Sequence, residues 1–462
     1  MSQSVFVLPE NPPLHVVAAP GHDLPGPVPQ RVRDGAGPVP AADAPARSVA
    51  IVGLGYVGLP TALGLHDAGL TVHGIDVSPQ RVDAVRAGAV DLLDADRRRL
   101  AQALDGDRFH AATDPTPLAQ ADVVLICVPT PLDHHLTPDL APLTAACRTV
   151  VEHARPGQVL VLTSTSYAGT TRDLLAEPLR ARGLVPGEDV FVAFSPERID
   201  PGVAHHTQDT TPRVVGGVTP ACTARATAVL RRLSPSIHPV STPEAAEMTK
   251  LYENTFRAVT LALANEFAEI CSTLSLDPIE VTAAAATKPY GFLAVYPGPG
   301  VGGHCIPCDP HYLLWQLRGE RGRAPVTEQA MAAIATRPRQ VVQRVLELMS
   351  DTGGALSGAR VLVVGVTYKP GVADLRESSA LEILLGLRRR GAEVAFHDPL
   401  IDRIVLADGT RLRSETSPRG EDWDLVLVHT VHPTHRYPWV QDCPRVLDGT
   451  YRFDRTAGFA VV

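Results

Sequence analysis

Cys305, His304 and Asp309 crowd into one stretch, Tyr-Pro-Gly-Pro-Gly-Val-Gly-Gly-His-Cys-Ile-Pro-Cys-Asp-Pro, residues 296–310. A thiol, an imidazole and a carboxylate this close form a candidate reaction centre, and neighbouring glycines let the backbone approach a ligand. Four glycines and four prolines among these residues argue against a helix or an interior strand, since glycine maximises backbone freedom and proline removes donors. The stretch is therefore expected to be a loop. The plain alternative is a connector between helices.

Cys305 and Cys308 also spell CxxC, a spacing used by redox disulfides and by half zinc sites. Zinc needs about four ligands. His304 and His311 do not complete a known spacing, and there is no second CxxC, so no metal is expected. Reversible oxidation of Cys305 by way of Cys308 is the livelier alternative. A second polar set lies upstream: Lys250, Asn254 and Arg257 recur at i, i+4 and i+7 and line one face of a helix. Such a row is usually a solvated side. A carboxylate, Glu197, follows the apolar run 191–194 beside Arg198, its simplest surface partner.

These groups need elements to hold them. Residues 49–52 form a short apolar run suited to a buried parallel strand, followed at once by Gly53-Leu54-Gly55-Tyr56-Val57-Gly58. A helix is expected over 60–68 and a second strand over 71–76, closed by Asp76. A GxGxxG between strand and helix, with an acid about twenty residues on, is a dinucleotide-binding signal. Gly53 permits the tight turn, Gly55 admits the pyrophosphate and Gly58 allows close packing. Asp76 would accept from the ribose hydroxyls and repel a 2′-phosphate, favouring NAD over NADP. Further strands are expected over 121–128, ending at Pro129 and Thr130, and over 159–163, leading to Ser164 and Thr165. Strand ends of this kind are where ligands bind.

Beyond residue 243 the pattern turns helical. Met248, Tyr252, Phe256, Val259, Leu263, Phe267 and Ile270 form an apolar stripe at spacings of three and four. It suits either a dimer interface or a helix buried within one chain. A helix over 328–350 carries Pro338, which predicts a kink or a break. After a glycine-rich linker at 353–358 a second strand, helix, strand unit begins. It lacks the glycine fingerprint and offers Lys369 and Arg376 to a different phosphorylated ligand.

The fold class is therefore α/β, two Rossmann-like doubly wound domains joined by a central helical domain. The expected divisions are a disordered extension over 1–46, a NAD-binding domain over 47–242, a helical domain over 243–352 and a second Rossmann-like domain over 353–462, suited to a different phosphorylated ligand. The chain has 462 residues, 45% hydrophobic and 20% charged, with a net charge of −8. No basic footprint for nucleic acid and no membrane span follow from it. Seven scattered cysteines do not form a secreted disulfide framework, and a cytoplasmic location is the default.

These motifs, in this order, resemble the UDP-glucose/GDP-mannose dehydrogenase family over nearly all of residues 48–450. The carriers are Gly300-Val301-Gly302-Gly303-His304-Cys305-Ile306-Pro307, Glu247-Met248-Thr249-Lys250 with Asn254, Ser195-Pro196-Glu197-Arg198, Ser164-Thr165 with Gly169-Thr170-Thr171, and Asp374-Leu375-Arg376-Glu377-Ser378. The resemblance implies oxidation of a nucleotide-sugar C6 alcohol to a carboxylate with NAD. It implies Cys305 as nucleophile, Lys250, Asn254 and an Asp309-held water at the substrate oxygen, Glu197 as the base that hydrolyses a thioester and Thr165 as holder of its water. Tyr56, Val57, Arg81, Pro129, Thr130 and Thr165 join Gly53, Gly55, Gly58 and Asp76 at the cofactor. Glu197, Arg198, Lys250, Asn254, Arg257, Tyr296, Gly300, Gly303, Lys369 and Arg376 fall to the substrate.

The chain departs from the family pattern at Thr163, at Cys308, where many glucose-specific members have lysine, and at Arg452, where the arginine usually comes just after the strand-end Asp448. The surroundings, 287–292 and 297–300, look most like the UDP-N-acetylglucosamine 6-dehydrogenase branch. UDP-glucose, UDP-N-acetylgalactosamine and UDP-N-acetylmannosamine remain open as substrates, and a homodimer or higher homo-oligomer is expected. More remote readings are a β-hydroxyacid dehydrogenase and a NAD-responsive binding protein with a redox thiol.

Overall fold

The computed structural model describes residues 46–90, 92, 94–199, 210–453 and 458–462. Apart from Ala46, the expected disordered extension lies outside the described residues. The chain divides into two compact units: residues 46–253 with His311–Gly322, and Asn254–Pro310 with Arg323–Val462.

The first unit is built on eight strands: β1 (Ser48–Val52), β2 (Thr71–Ile75), β3 (Phe109–Ala112), β4 (Val123–Ile126), β5 (Val159–Leu162), β6 (Phe191–Phe194), β7 (Arg213–Gly217) and β8 (Ile237–Val240). They lie in the order β3-β2-β1-β4-β5-β6-β7-β8. All neighbours are parallel except β6 and β7. Every residue of β4, β5 and β6 is buried, because a parallel sheet is covered by helices on both faces and its strands read as continuous apolar runs. Strand β8 lies at the edge, where Pro239 is tolerated because no further strand needs its missing N–H. The order reverses between β1 and β4, which opens a crevice at their carboxyl ends.

The second unit contains β9 (Arg360–Val364), β10 (Glu393–His397), β13 (Leu425–Val428), β14 (Val446–Asp448) and β15 (Ala460–Val461) in the order β10-β9-β13-β14-β15, with a separate pair β11 (Arg403–Val405) and β12 (Arg411–Arg413). Its five-stranded sheet is parallel throughout. The helices Ser379–Arg388 and Pro325–Asp351 contribute Ile383, Leu384, Val341, Val342 and Val345 to the core against β9 and β13.

Three expectations need correction. Residues 296–310 are not all loop, because a helix, Cys305–Gly319, begins inside them. Pro307 stands in the first turn, where backbone N–H groups have no acceptor within the helix, so its missing donor costs nothing; only Pro310 is an interior proline. Pro338 does not break its helix, which runs from Pro325 to Asp351. The long helix Pro243–Thr273 also presents its faces the other way round. Lys250 and Asn254 of the polar row are buried, whereas Met248, Tyr252, Phe256, Leu263, Phe267 and Ile270 of the apolar stripe are exposed. The stripe is thus not a core face of its own chain.

Candidate active site

The turn after β1 has the shape of a phosphate cradle. A Cβ on Gly53, whose φ is +93°, would stand 2.5 Å from the Cys127 carbonyl oxygen, and one on Gly58 would stand 1.8 Å from the Gly53 carbonyl oxygen. A Cβ on Gly55 would meet nothing within 4 Å. Packing therefore demands two of the glycines, while the third faces open space near the start of the helix Gly58–Asp67, where the backbone dipole favours an anion. Val57 caps that helix and Tyr56 is exposed beside it. The Asp76 carboxylate accepts from the Leu54 N–H at 2.9 Å and the Ser78 N–H at 3.0 Å. Arg81 donates through Nε to the Leu54 carbonyl at 2.8 Å, bracing the same turn.

At the neighbouring strand ends, Ser164 Oγ donates to the Val128 carbonyl at 2.8 Å and ties the loop after β5 to the loop after β4. There Thr130 is buried, Pro129 exposed and Thr165 half-buried. Ser166 Oγ and Ser195 Oγ are buried with no hydrogen-bond partner among the described residues. An open glycine, a ribose-side carboxylate and unpartnered hydroxyls fit a dinucleotide.

Glu197 follows β6, and its ion pair is made with Arg213 rather than with the Arg198 side chain. Its carboxylate pairs with Arg213 Nη2 at 2.7 Å and accepts from the Arg198 and Ile199 N–H groups. Arg198 instead pairs with Glu253 at 2.6 Å. Arg213, the first residue of β7, carries no sequence signal beyond its charge. Glu247 also exceeds its sequence reading. It accepts from the Gly169 N–H at 2.6 Å, the Thr171 N–H at 2.8 Å and the Thr171 hydroxyl at 2.6 Å, fastening the turn that follows Thr165.

Burial pushes the Glu247 carboxyl up to about 7, against the pull of those donors. The folded chain therefore holds this proton at pH values where the unfolded chain, with a carboxyl near 4.5, has lost it. The resulting stability is complete below the unfolded value and is lost as pH rises through about 7. The urea midpoint of Glu247→Gln is accordingly expected to vary less with pH across this window than that of wild type. Parallel pH curves would contradict it.

In the other unit, Cys305 is exposed at the head of its helix, where the dipole favours negative charge, while the other six cysteines are buried. One turn on, Asp309 accepts from Asn254 Nδ2 at 2.5 Å, and both residues are buried. Lys250, buried too, precedes Asn254 by one turn of the long helix; Arg257 is exposed rather than buried with them. Gly303 packs under the Tyr368 ring with a φ of +83° and donates its N–H to the Arg376 carbonyl at 2.9 Å. Gly300 sits against Ser379, and Tyr296 is half-buried. Burial, then Arg376, lowers the pKa of His304, against the pull of Asp374.

Burial, then Asp309, pushes the Cys308 thiol up to about 12. A thiol this rarely ionised attacks slowly. Cβ atoms three residues apart on a helix also stand about 5–6 Å apart, wider than the roughly 3.8 Å of a disulfide. Cys308→Val is therefore expected to lose activity to hydrogen peroxide at the wild-type rate, with the same recovery on adding reductant. Greater or less recoverable loss in the variant would restore the redox pair.

The segment expected to grip a nucleotide folds as a compact turn. Arg376 is exposed but forks onto Asp374, with Nη2 to Oδ2 at 2.7 Å and Nε to Oδ2 at 2.9 Å, and Lys369 is half-buried. Among the described residues no group of three metal-ligating side chains stands together, and no helix is long and apolar enough to cross a membrane.

A glycine cradle on one doubly wound sheet, with an exposed thiol and a buried Asn–Asp pair elsewhere in the chain, defines the class of NAD-dependent dehydrogenases. The NAD-binding, central and UDP-binding domain models of one family match residues 47–234, 244–333 and 362–456. The chain belongs to the UDP-glucose/GDP-mannose dehydrogenase family and is an oxidoreductase, a nucleotide-sugar dehydrogenase. It is 33% identical over 386 residues, 83% of this chain and 90% of the relative, to the UDP-N-acetyl-D-glucosamine 6-dehydrogenase of Pseudomonas aeruginosa. It is 34% identical over 349 residues, 73% and 81% of the two chains, to the UDP-N-acetyl-D-mannosamine dehydrogenase of Escherichia coli strain K12. The solved UDP-D-ManNAc dehydrogenase of Pyrococcus horikoshii superposes with a TM-score of 0.82 at 30% identity, covering 90% of this chain and 98% of the other.

Proposed function

We propose that the chain oxidises C6 of UDP-N-acetylglucosamine from alcohol to carboxylate, through an aldehyde and a thioester on Cys305. The observation that carries this reading is the Asn254–Asp309 bond one helical turn from an exposed thiol. NAD, when bound, accepts the hydride that leaves C6 in each of two oxidations. Lys250 and Asn254 hold the C6 oxygen, and Asp309 orients Asn254 and a water there that takes the C6 hydroxyl proton as the hydride leaves. Cys305 adds to the aldehyde carbon; the developing oxyanion is met by the same donors. Glu197 takes a proton from the water that cleaves the thioester, and Thr165 holds that water. Arg198, Arg257, Tyr296, Gly300, Gly303, Lys369 and Arg376 bind the nucleotide sugar, and Tyr56, Val57, Arg81, Pro129 and Thr130 line the cofactor site. The divisions at residues 47, 243 and 353 follow this allotment of roles, and the reaction belongs to the cytoplasm.

UDP-N-acetylmannosamine is the second reading, favoured by the names of the Escherichia coli and Pyrococcus horikoshii relatives. A panel of UDP-N-acetylglucosamine, UDP-N-acetylmannosamine, UDP-N-acetylgalactosamine and UDP-glucose, followed by NADH absorbance and mass analysis of the product, tests both. Two NADH per sugar with the highest kcat/KM on UDP-N-acetylglucosamine is expected. One NADH per sugar, or preference for another member, overturns the reading or its substrate.

The exposed stripe on the long helix supports a homodimer formed through that face. Phe256→Glu combined with Phe267→Glu is expected to halve the mass measured by light scattering. A wild-type mass of one chain would end this proposal.

A further inference from the structure

Arg337 heads the fully buried side chains by size, with only 1% of its surface exposed, and none of the roles above uses it. It lies inside the helix Pro325–Asp351. Its Nε donates to the Gly298 carbonyl at 3.0 Å and its Nη1 to Glu269 at 3.0 Å. Nη2 is buried with no hydrogen-bond partner among the described residues. On the other side of the same residue, the Gly298 N–H donates to Asn265 Oδ1 at 2.9 Å. Side chains from two helices therefore hold one glycine by both of its backbone polar groups.

Gly298 begins the arm that ends at Cys305. Farther along, Gly300 abuts Ser379, Gly302 abuts Tyr368 and the Glu377 carbonyl, and Gly303 bonds to the Arg376 carbonyl. Glycine-rich backbone does not hold its own course, so these anchors set it. Stability is a poor account of Arg337. A buried guanidinium with an unpaired arm carries a desolvation cost, and apolar residues of similar volume often replace buried ion pairs without loss. Its partner Glu269 is 46% exposed, so removing the arginine strands no buried charge.

We propose that Arg337, with Asn265, is a positioning clamp on Gly298 that sets where the Cys305 thiol stands. The clamp serves the thiol-dependent half of the oxidation, and its catalytic arm rests on the reading of Cys305 as nucleophile.

The test uses the full-length chain and the variants Arg337→Met, Asn265→Leu, their double, and Asn265→Asp, which keeps the acceptor. Arg337→Met is expected to unfold at or above the wild-type midpoint. Its NADH yield should fall from two per sugar towards one, with aldehyde trapped by hydroxylamine, and the second oxidation should slow about tenfold while KM stays within about twofold, as misplacement at a distance from the chemistry does. Alkylation of Cys305 by iodoacetamide in the resting protein should change at least about fivefold, and the double variant should be no worse than the worse single because both hold one residue. Asn265→Asp should behave as wild type. Unchanged alkylation in both Arg337→Met and Asn265→Leu, or activity lost only in step with stability, overturns the clamp. Should Cys305→Ser still form acid with two NADH, the nucleophile reading fails, and the alkylation arm still judges the clamp.

Discussion

Cys305→Ser is expected to stop acid formation, lowering its rate by on the order of a thousandfold or more, the scale set by removing a covalent nucleophile. A serine hydroxyl keeps its proton near neutrality, so the aldehyde would not be captured. The first oxidation needs no thiol. The variant should therefore give at most one NADH per sugar, with aldehyde recoverable by trapping, rather than a dead protein. Because Cys305 is exposed, the unfolding midpoint should stay at the wild-type value. Acid and two NADH from the variant at near wild-type rate would remove Cys305 from the chemistry.

The second large effect separates two glycines that sequence treats alike. Gly55→Val places its side chain in open space, so the apo protein should unfold as wild type does while NAD binds on the order of a hundredfold more weakly, the branched side chain filling the approach of the pyrophosphate. Gly58→Ala forces a Cβ to 1.8 Å from the Gly53 carbonyl oxygen. The backbone must move, with a stability loss of roughly 1–3 kcal/mol in urea unfolding as well as weaker binding. Calorimetric titration with NAD alongside unfolding checks both. Unaltered NAD affinity in Gly55→Val would mean that the turn is not the cradle.

The glycine turn, the strand-end loops and the second doubly wound sheet could be read from residue order because each rests on local rules: an apolar run, a glycine spacing, an acid at a strand end. What could not be read depends on the far side of each group. The apolar stripe and the polar row of the long helix were both visible, but periodicity does not say which face turns inward, and here Lys250 and Asn254 are inside. Composition also misjudged the start of the helix at Cys305. Counting prolines treats all positions equally, although a helix tolerates proline in its first turn. Arg213 for Glu197 and Arg337 for Gly298 are long-range pairings of common residues, and neither partner announces the other.

The Gly303 N–H and the Arg376 carbonyl are bonded back to back, so one side of a single peptide contact faces the proposed nucleotide grip and the other leads to the thiol. A free N-acetylhexosamine has the same C6 alcohol but cannot load that grip. Its handicap should then appear in turnover at saturation as well as in affinity, because binding energy from the unreactive end of a substrate is spent at the reacting end. Free UDP supplied in trans would return part of that turnover to the truncated sugar.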